Sequence, residues 1–97
     1  MTEFEFTGAM FEWRGPSPYY FIEIPVDQSA KIKERASQLT YGWGVIPVTC
    51  EIGDTEITTS LIPKDGIYLL PIKNVVRLGE GLEVDQVVTV KLTLGKV

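Results

Sequence analysis

The stretch Gly66-Ile67-Tyr68-Leu69-Leu70-Pro71-Ile72-Lys73-Asn74-Val75-Val76-Arg77-Leu78-Gly79-Glu80-Gly81-Leu82, followed by the alternating run Val87 to Leu94, holds the pattern of the fold. Ile67 to Leu70 reads as a strand. Pro71 ends it and can open a helix, where its missing N–H costs nothing. The pattern predicts a short helix over about residues 72–78, with Ile72, Val75 and Val76 facing inward and Lys73, Asn74 and Arg77 outward. Glycines then punctuate the chain, and a last strand sets Val88, Val90, Leu92 and Leu94 on its inner side.

The preceding residues form the hairpin that feeds this unit. Gly53-Asp54 fits a two-residue turn with glycine at the first central position. That register sets Cys50 opposite Ile57, Val48 opposite Thr59 and Ile46 opposite Leu61 on one face, with Thr49 opposite Thr58 and Glu51 opposite Glu56 on the other. The two glutamates read as a solvated hairpin tip or as a weak cation site. Pro63-Lys64-Asp65-Gly66 is expected to turn as type I with Gly66 left-handed.

Towards the N-terminus, Phe4, Phe6 and Met10 lie on one side of a strand, Phe11 and Trp13 on the other, and a bulge or bend is expected near Gly8-Ala9. Gly15-Pro16-Ser17-Pro18 breaks the chain before a second strand in which Tyr20, Ile22 and Ile24 alternate with Tyr19, Phe21 and Glu23. After Pro25, Asp27 is an expected N-cap. Ile32, Ala36 and Leu39 recur on one face of a helix over about residues 28–39, with Lys31, Lys33, Glu34 and Arg35 off that face.

Set side by side, the halves match in pattern: hairpin, Ile24-Pro25-Val26, helix, glycines and strand, then hairpin, Leu70-Pro71-Ile72, helix, glycines and strand. A doubled unit of this kind predicts one mainly-β domain over residues 1–97: a closed six-stranded barrel with a pseudo-twofold axis, each helix capping one end. Closure also removes the exposed strand edges that an open sheet would carry.

Composition bounds the function. The 97 residues carry a formal charge of -4, which opposes the broad basic surface of a duplex binder. The absence of histidine excludes Ser-His-Asp and Cys-His catalysis within the chain, and with Cys50 as the sole cysteine it excludes zinc sites built on His and Cys. Neither phosphate-cradle motif, Gly-x-x-x-x-Gly-Lys-Ser/Thr or Gly-x-Gly-x-x-Gly, occurs. Glu3 and Glu5 interrupt the first apolar run, so no signal peptide is read, and no apolar run suits a membrane span. A cytoplasmic setting is expected, with no cofactor, no metal and no catalytic residue assigned.

Three motifs in order resemble a known family: Gly42-Trp43-Gly44-Val45-Ile46-Pro47-Val48, Thr59-Ser60-Leu61-Ile62-Pro63 and Leu70-Pro71-Ile72-Lys73-Asn74-Val75-Val76-Arg77. The sequence is similar over nearly its whole length to small prokaryotic proteins classed as a domain of unknown function, sometimes joined to a bacteriocin-protection-type domain. That resemblance implies a double-split β-barrel and no established activity. Leu70-Pro71 through Val90 is more distantly similar to AbrB-like half-barrels, which implies DNA binding as swapped dimers. Two departures are visible. One extra residue stands between Pro71 and Lys73, and Asp85-Gln86 occupies the place of Gly-Asp.

Lys64, Lys73 and Arg77, with Arg14 near them, are the best outward cations. They read either as a solvated surface, with Arg77 paired to Glu80 or Asp65, or as an anion site. Trp13, Trp43, Tyr19, Tyr41 and Tyr68 are expected to fill the core or cap the barrel, but Trp43 between two glycines could be an exposed contact residue. Cys50 is expected to be buried and inert. The functional expectation is a non-enzymatic module that binds a protein or small ligand through Trp43, Lys64, Lys73 and Arg77. A nucleic-acid-binding or regulatory module is the alternative.

Overall fold

A computed structural model describes residues 3–14, 18–36 and 46–95. Strands β1 (Glu3–Arg14) and β2 (Pro18–Glu23) lead to helix α1 (Val26–Ala36). Strands β3 (Ile46–Ile52), β4 (Thr55–Lys64) and β5 (Ile67–Pro71) follow, then α2 (Asn74–Gly79) and β6 (Val87–Leu94). Trp43, Tyr41 and the expected helix end at Leu39 lie outside the described residues.

The strands close into an antiparallel barrel in the order β1-β2-β5-β4-β3-β6. Exchanging β1 with β4, β2 with β5 and β3 with β6 reproduces the same cyclic order, as the sequence repeat requires. The pseudo-twofold passes between β2 and β5 on one side and between β3 and β6 on the other. The β3–β4 hairpin has the expected register in full, from Ile46 opposite Leu61 to Glu51 opposite Glu56, and Gly53 at its turn has φ 57°.

The two longest strands each serve both halves of the wall. β1 pairs with β6 through Glu3 to Ala9 and with β2 through Met10 to Arg14. β4 pairs with β3 up to Leu61 and with β5 from Ile62. In β1 the handover falls at the expected Gly8-Ala9 bend, but no residue changes face: Phe6 and Met10 are both buried and Phe4 packs beside them. Gly8 permits the handover because a Cβ there would lie 2.7 Å from Ile22 Cγ2 and 3.0 Å from the Glu23 carbonyl.

The interior holds Met10, Ile22, Ile46, Val48, Leu61, Leu70, Val90 and Leu92, all at most 1 % exposed. β2 and β5 are antiparallel neighbours, so the helices that follow them start at opposite ends of the barrel. Ile32 of α1 and Val76 of α2, each fully buried, complete the core from those ends. Ser29 fastens α1: its hydroxyl donates to the Ile24 carbonyl at 3.0 Å and accepts from the Tyr68 amide at 3.1 Å. Cys50 is buried in the core, and burial pushes its thiol up to about 11 against the opposing charge of Lys73.

Local chemistry departs from the sequence expectation at four points. Asp27 is not the cap of α1 but lies in its first turn, where its charge suits the helix dipole. The second turn is Asp65-Gly66 with φ values of 50° and 86°, a type I′ hairpin turn, so Pro63 stays in β4 opposite Tyr68. Pro71 is the last residue of β5 rather than the first of α2, and Lys73 stands at the helix N-cap. The helix is therefore rotated relative to expectation, and Val75 is 63 % exposed instead of facing inward. Its C-terminus closes with the Leu82 amide donating to the Arg77 carbonyl at 2.9 Å, which brings Leu82 into the core.

Candidate functional site

Strict alternation in β1 and β2 has a consequence on the outside of the barrel. With Met10 and Ile22 committed to the core, Phe11, Trp13, Tyr19 and Phe21 must face outward. Phe11 and Phe21 sit opposite each other with ring centroids 5.9 Å apart, and Tyr19 follows at 6.5 Å from Phe21. Trp13 is 44 % exposed and Tyr19 59 %. Both were expected in the core or at its caps, and both instead lie on the outer face. Tyr68 alone of the described members of that group is buried. On β5 the outer-face residue opposite Phe21 is Pro71, and Leu69, opposite Glu23, is 4 % exposed yet outside the interior cluster.

Lys64 joins this face from the far side. It lies in β4 and Trp13 in β1, with β2 and β5 between them, yet its ammonium stands 3.9 Å from the Trp13 ring centroid. A twisted sheet curls diagonally opposite corners towards the same side, which brings these two ends together. The contact is a cation–π pair.

At the other margin the face opens into a cleft of about 370 Å³ between β2 and the β5–α2 link. Tyr19, Tyr20, Phe21, Pro71, Ile72, Lys73 and Asn74 line it. Tyr20 belongs to the inward register and packs against the core, and its carbonyl accepts from the Ile72 amide at 2.8 Å at the edge of the cleft. The Lys73 ammonium donates to the Thr58 carbonyl at 2.9 Å, which uses one of its three protons. Arg77 stacks on Tyr20 at 4.5 Å and donates through Nη2 to Asn74 Oδ1 at 3.3 Å. Glu80, one of its expected partners, accepts instead from Thr55 Oγ1 at 2.7 Å and ties α2 to the β3–β4 turn.

Of the three cations, Lys73 alone lines the cleft; Arg77 stacks on Tyr20 beside it, and Lys64 stands apart on Trp13. Trp43 lies outside the described residues. Sequence reasoning did not single out Tyr19 or Phe21 as site residues. The available signal was the alternation itself, which places any aromatic one residue from a core position on the outer surface. Glu51 and Glu56 face each other at the hairpin tip, and no cluster of three metal-ligating side chains occurs among the described residues. No described helix is long and apolar enough to cross a membrane.

Comparison with known families matches residues 6–92 to a domain of unknown function, DUF1905. The chain belongs to the DUF1905 family. The match spans every strand at least in part and both helices, so this member's barrel and its outer cleft are parts of the family domain itself. No curated protein matches the sequence.

Proposed function

We propose that this DUF1905 protein is a non-enzymatic binding module that works through the aromatic outer face of the β1-β2-β5-β4 wall. The observation that carries this reading is the exposure of Trp13 and Tyr19 beside Phe11 and Phe21 on one side of the sheet. A contiguous exposed apolar patch is a mark of interaction surfaces, and Trp and Tyr supply large contact area with a polar handle. The cleft at its margin is lined by no carboxylate and no thiol, which favours binding over acid–base or nucleophilic chemistry. A reducing, cytoplasmic setting suits the buried Cys50.

The second reading is a nucleic-acid-binding or regulatory module. The placement of Lys73 at the N-cap of α2 and Arg77 in its last turn favours it, and the net charge of -4 weighs against a broad duplex surface. The likeness of the second half to AbrB-like half-barrels points the same way.

A fragment library read by saturation-transfer NMR tests the first reading. Most hits on the native protein should lose their signal in the double variant Trp13→Ala, Tyr19→Ala, while its cooperative melting is retained. Full retention of the hits by a folded double variant would refute the assignment of this face.

A further inference from the structure

We propose that the free edge of β4 from Glu56 to Ser60 takes a short extended peptide as an added strand, with apolar side chains turned towards Val75 and a basic one beside Glu56. This edge is separate from the aromatic face, and the proposal does not depend on that face.

The edge follows from two turns and a proline. Residues that flank a two-residue turn exchange both of their main-chain bonds, and alternate residues of a strand address opposite edges. Ile52 and Thr55 flank the β3–β4 turn, so Thr55, Ile57, Thr59 and Leu61 address β3. Lys64 and Ile67 flank the β4–β5 turn, so Lys64 and Ile62 address β5. Ser60, Thr58 and Glu56 turn to that same side, but the β4–β5 ladder stops at Ile62 opposite Leu69. The next residue of β5 in the bonding register is Pro71, which has no N–H to give. Beyond it the chain leaves for α2, and this part of β4 has no neighbouring strand on that side. Among the described residues, a single bond reaches the edge, and it comes from a side chain: the Lys73 ammonium donates to the Thr58 carbonyl at 2.9 Å.

A line of alternating N–H and C=O groups is matched in spacing by another extended main chain, which names the kind of partner. Glu56 and Thr58 are exposed, so the line is accessible. The flanking side chains specify the partner further. Glu56, Ile57, Thr58, Lys73 and Val75 line an open hollow of about 400 Å³ along the edge. Val75 is 63 % exposed there, and Leu78, one turn further along α2, is 68 % exposed. Alternate apolar side chains of an added strand would cover this surface. The others would extend an outer cross-strand row in which Glu5 faces Lys91, Lys91 faces Glu51 and Glu51 faces Glu56. That row ends on two adjacent carboxylates, so a basic side chain is the complement at the next position. Lys73 lying on the edge hinders chance pairing, and a matched strand must replace its bond.

The probe is the capped peptide acetyl-Thr-Val-Lys-Val-Lys-Val-Thr-amide, titrated against the ¹⁵N-labelled chain with shifts mapped by residue. One control carries glutamate in place of both lysines. A second is N-methylated at both lysines, which keeps every side chain and the charge but removes the N–H groups that would face β4. The parent peptide should shift Glu56, Thr58, Ser60 and Val75 and slow amide exchange at Thr58 and Ser60. Each control should bind about tenfold more weakly or worse. Lys73→Met should tighten the parent peptide by about fivefold, because the competing bond to Thr58 is gone. No binding at millimolar peptide, equal binding of the methylated control, or weaker binding to Lys73→Met would overturn the proposal. Shifts at Phe11, Trp13 and Tyr19 instead would give the peptide to the aromatic face and overturn the edge assignment. Self-association of the free chain through the same residues would give the edge to a second copy, which overturns the peptide assignment as well.

Discussion

Ser29 is the residue on which the attachment of α1 turns. Its hydroxyl is buried and satisfied on both sides, by the Ile24 carbonyl and the Tyr68 amide. Ser29→Ala leaves that amide buried without a partner, which costs about 1–3 kcal/mol. Urea denaturation should show this loss with an unchanged slope against denaturant. Nothing in the sequence singled out Ser29, because a serine three residues before Ile32 looks like any polar position beside an apolar face. Cys50 makes a second residue-scale prediction. Its folded pKa of about 11 lies above the ordinary 9.0, so the folded state retains the thiol proton where the unfolded chain has lost it. Its contribution is fully present below pH 9 and is lost as pH rises from about 9 to about 11, by up to about 1.4 kcal/mol per pH unit. Buried Tyr68, whose pKa is also raised, adds to the same alkaline decline. Cys50→Ala should therefore flatten the dependence of stability on pH across that window, apart from its packing loss. An unchanged slope would show that the thiol is not protected as described.

At the scale of elements, β1 depends on one close approach. Its handover from β6 to β2 brings Ile22 and the Glu23 carbonyl against Gly8. Gly8→Ala should destabilise the fold by about 1–3 kcal/mol through overpacking, measured by thermal or chemical denaturation. A neutral result would mean that the two strands can separate there without cost. The tie between α2 and the β3–β4 turn is the second such dependence. Glu80→Ala removes the acceptor of Thr55 Oγ1, and amide exchange in residues 53–55 should speed up while the core of β3 stays protected. The hairpin register between Ile46 and Leu61 was fully legible in the sequence, because a two-residue glycine turn and alternation fix every pair at once. The placement of α2 was less legible. Pro71 can end a strand or open a helix, and only pairing with Phe21 shows that it ends one. That difference of two residues rotates the helix and turns Val75 outward.

For the whole molecule, the doubled pattern was enough to foretell a closed barrel with a pseudo-twofold order, since six half-buried strands in two equivalent sets have few other ways to cover their edges. The candidate face was not foretold, although its residues were noticed. Aromatics in a small chain are ordinarily assigned to the core, and here the interior is already filled by aliphatic residues such as Ile22, Leu70 and Val90. Trp13, Tyr19, Phe11 and Phe21 are the surplus, gathered on one wall beside Lys64 and Lys73. Trp13 and Tyr19 are exposed while Phe11 and Phe21 are half-buried, so replacing the first two should cost little stability and separate function from folding by mutation. The most direct measurement is therefore a fragment titration of the ¹⁵N-labelled native chain, with every amide shift mapped onto the barrel. Shifts concentrated at Phe11, Trp13, Tyr19, Phe21 and residues 71–74 are the result this account predicts. Shifts concentrated elsewhere, for instance in the hollow of Phe4, Gln28, Lys31 and Arg35 beside α1, would contradict it.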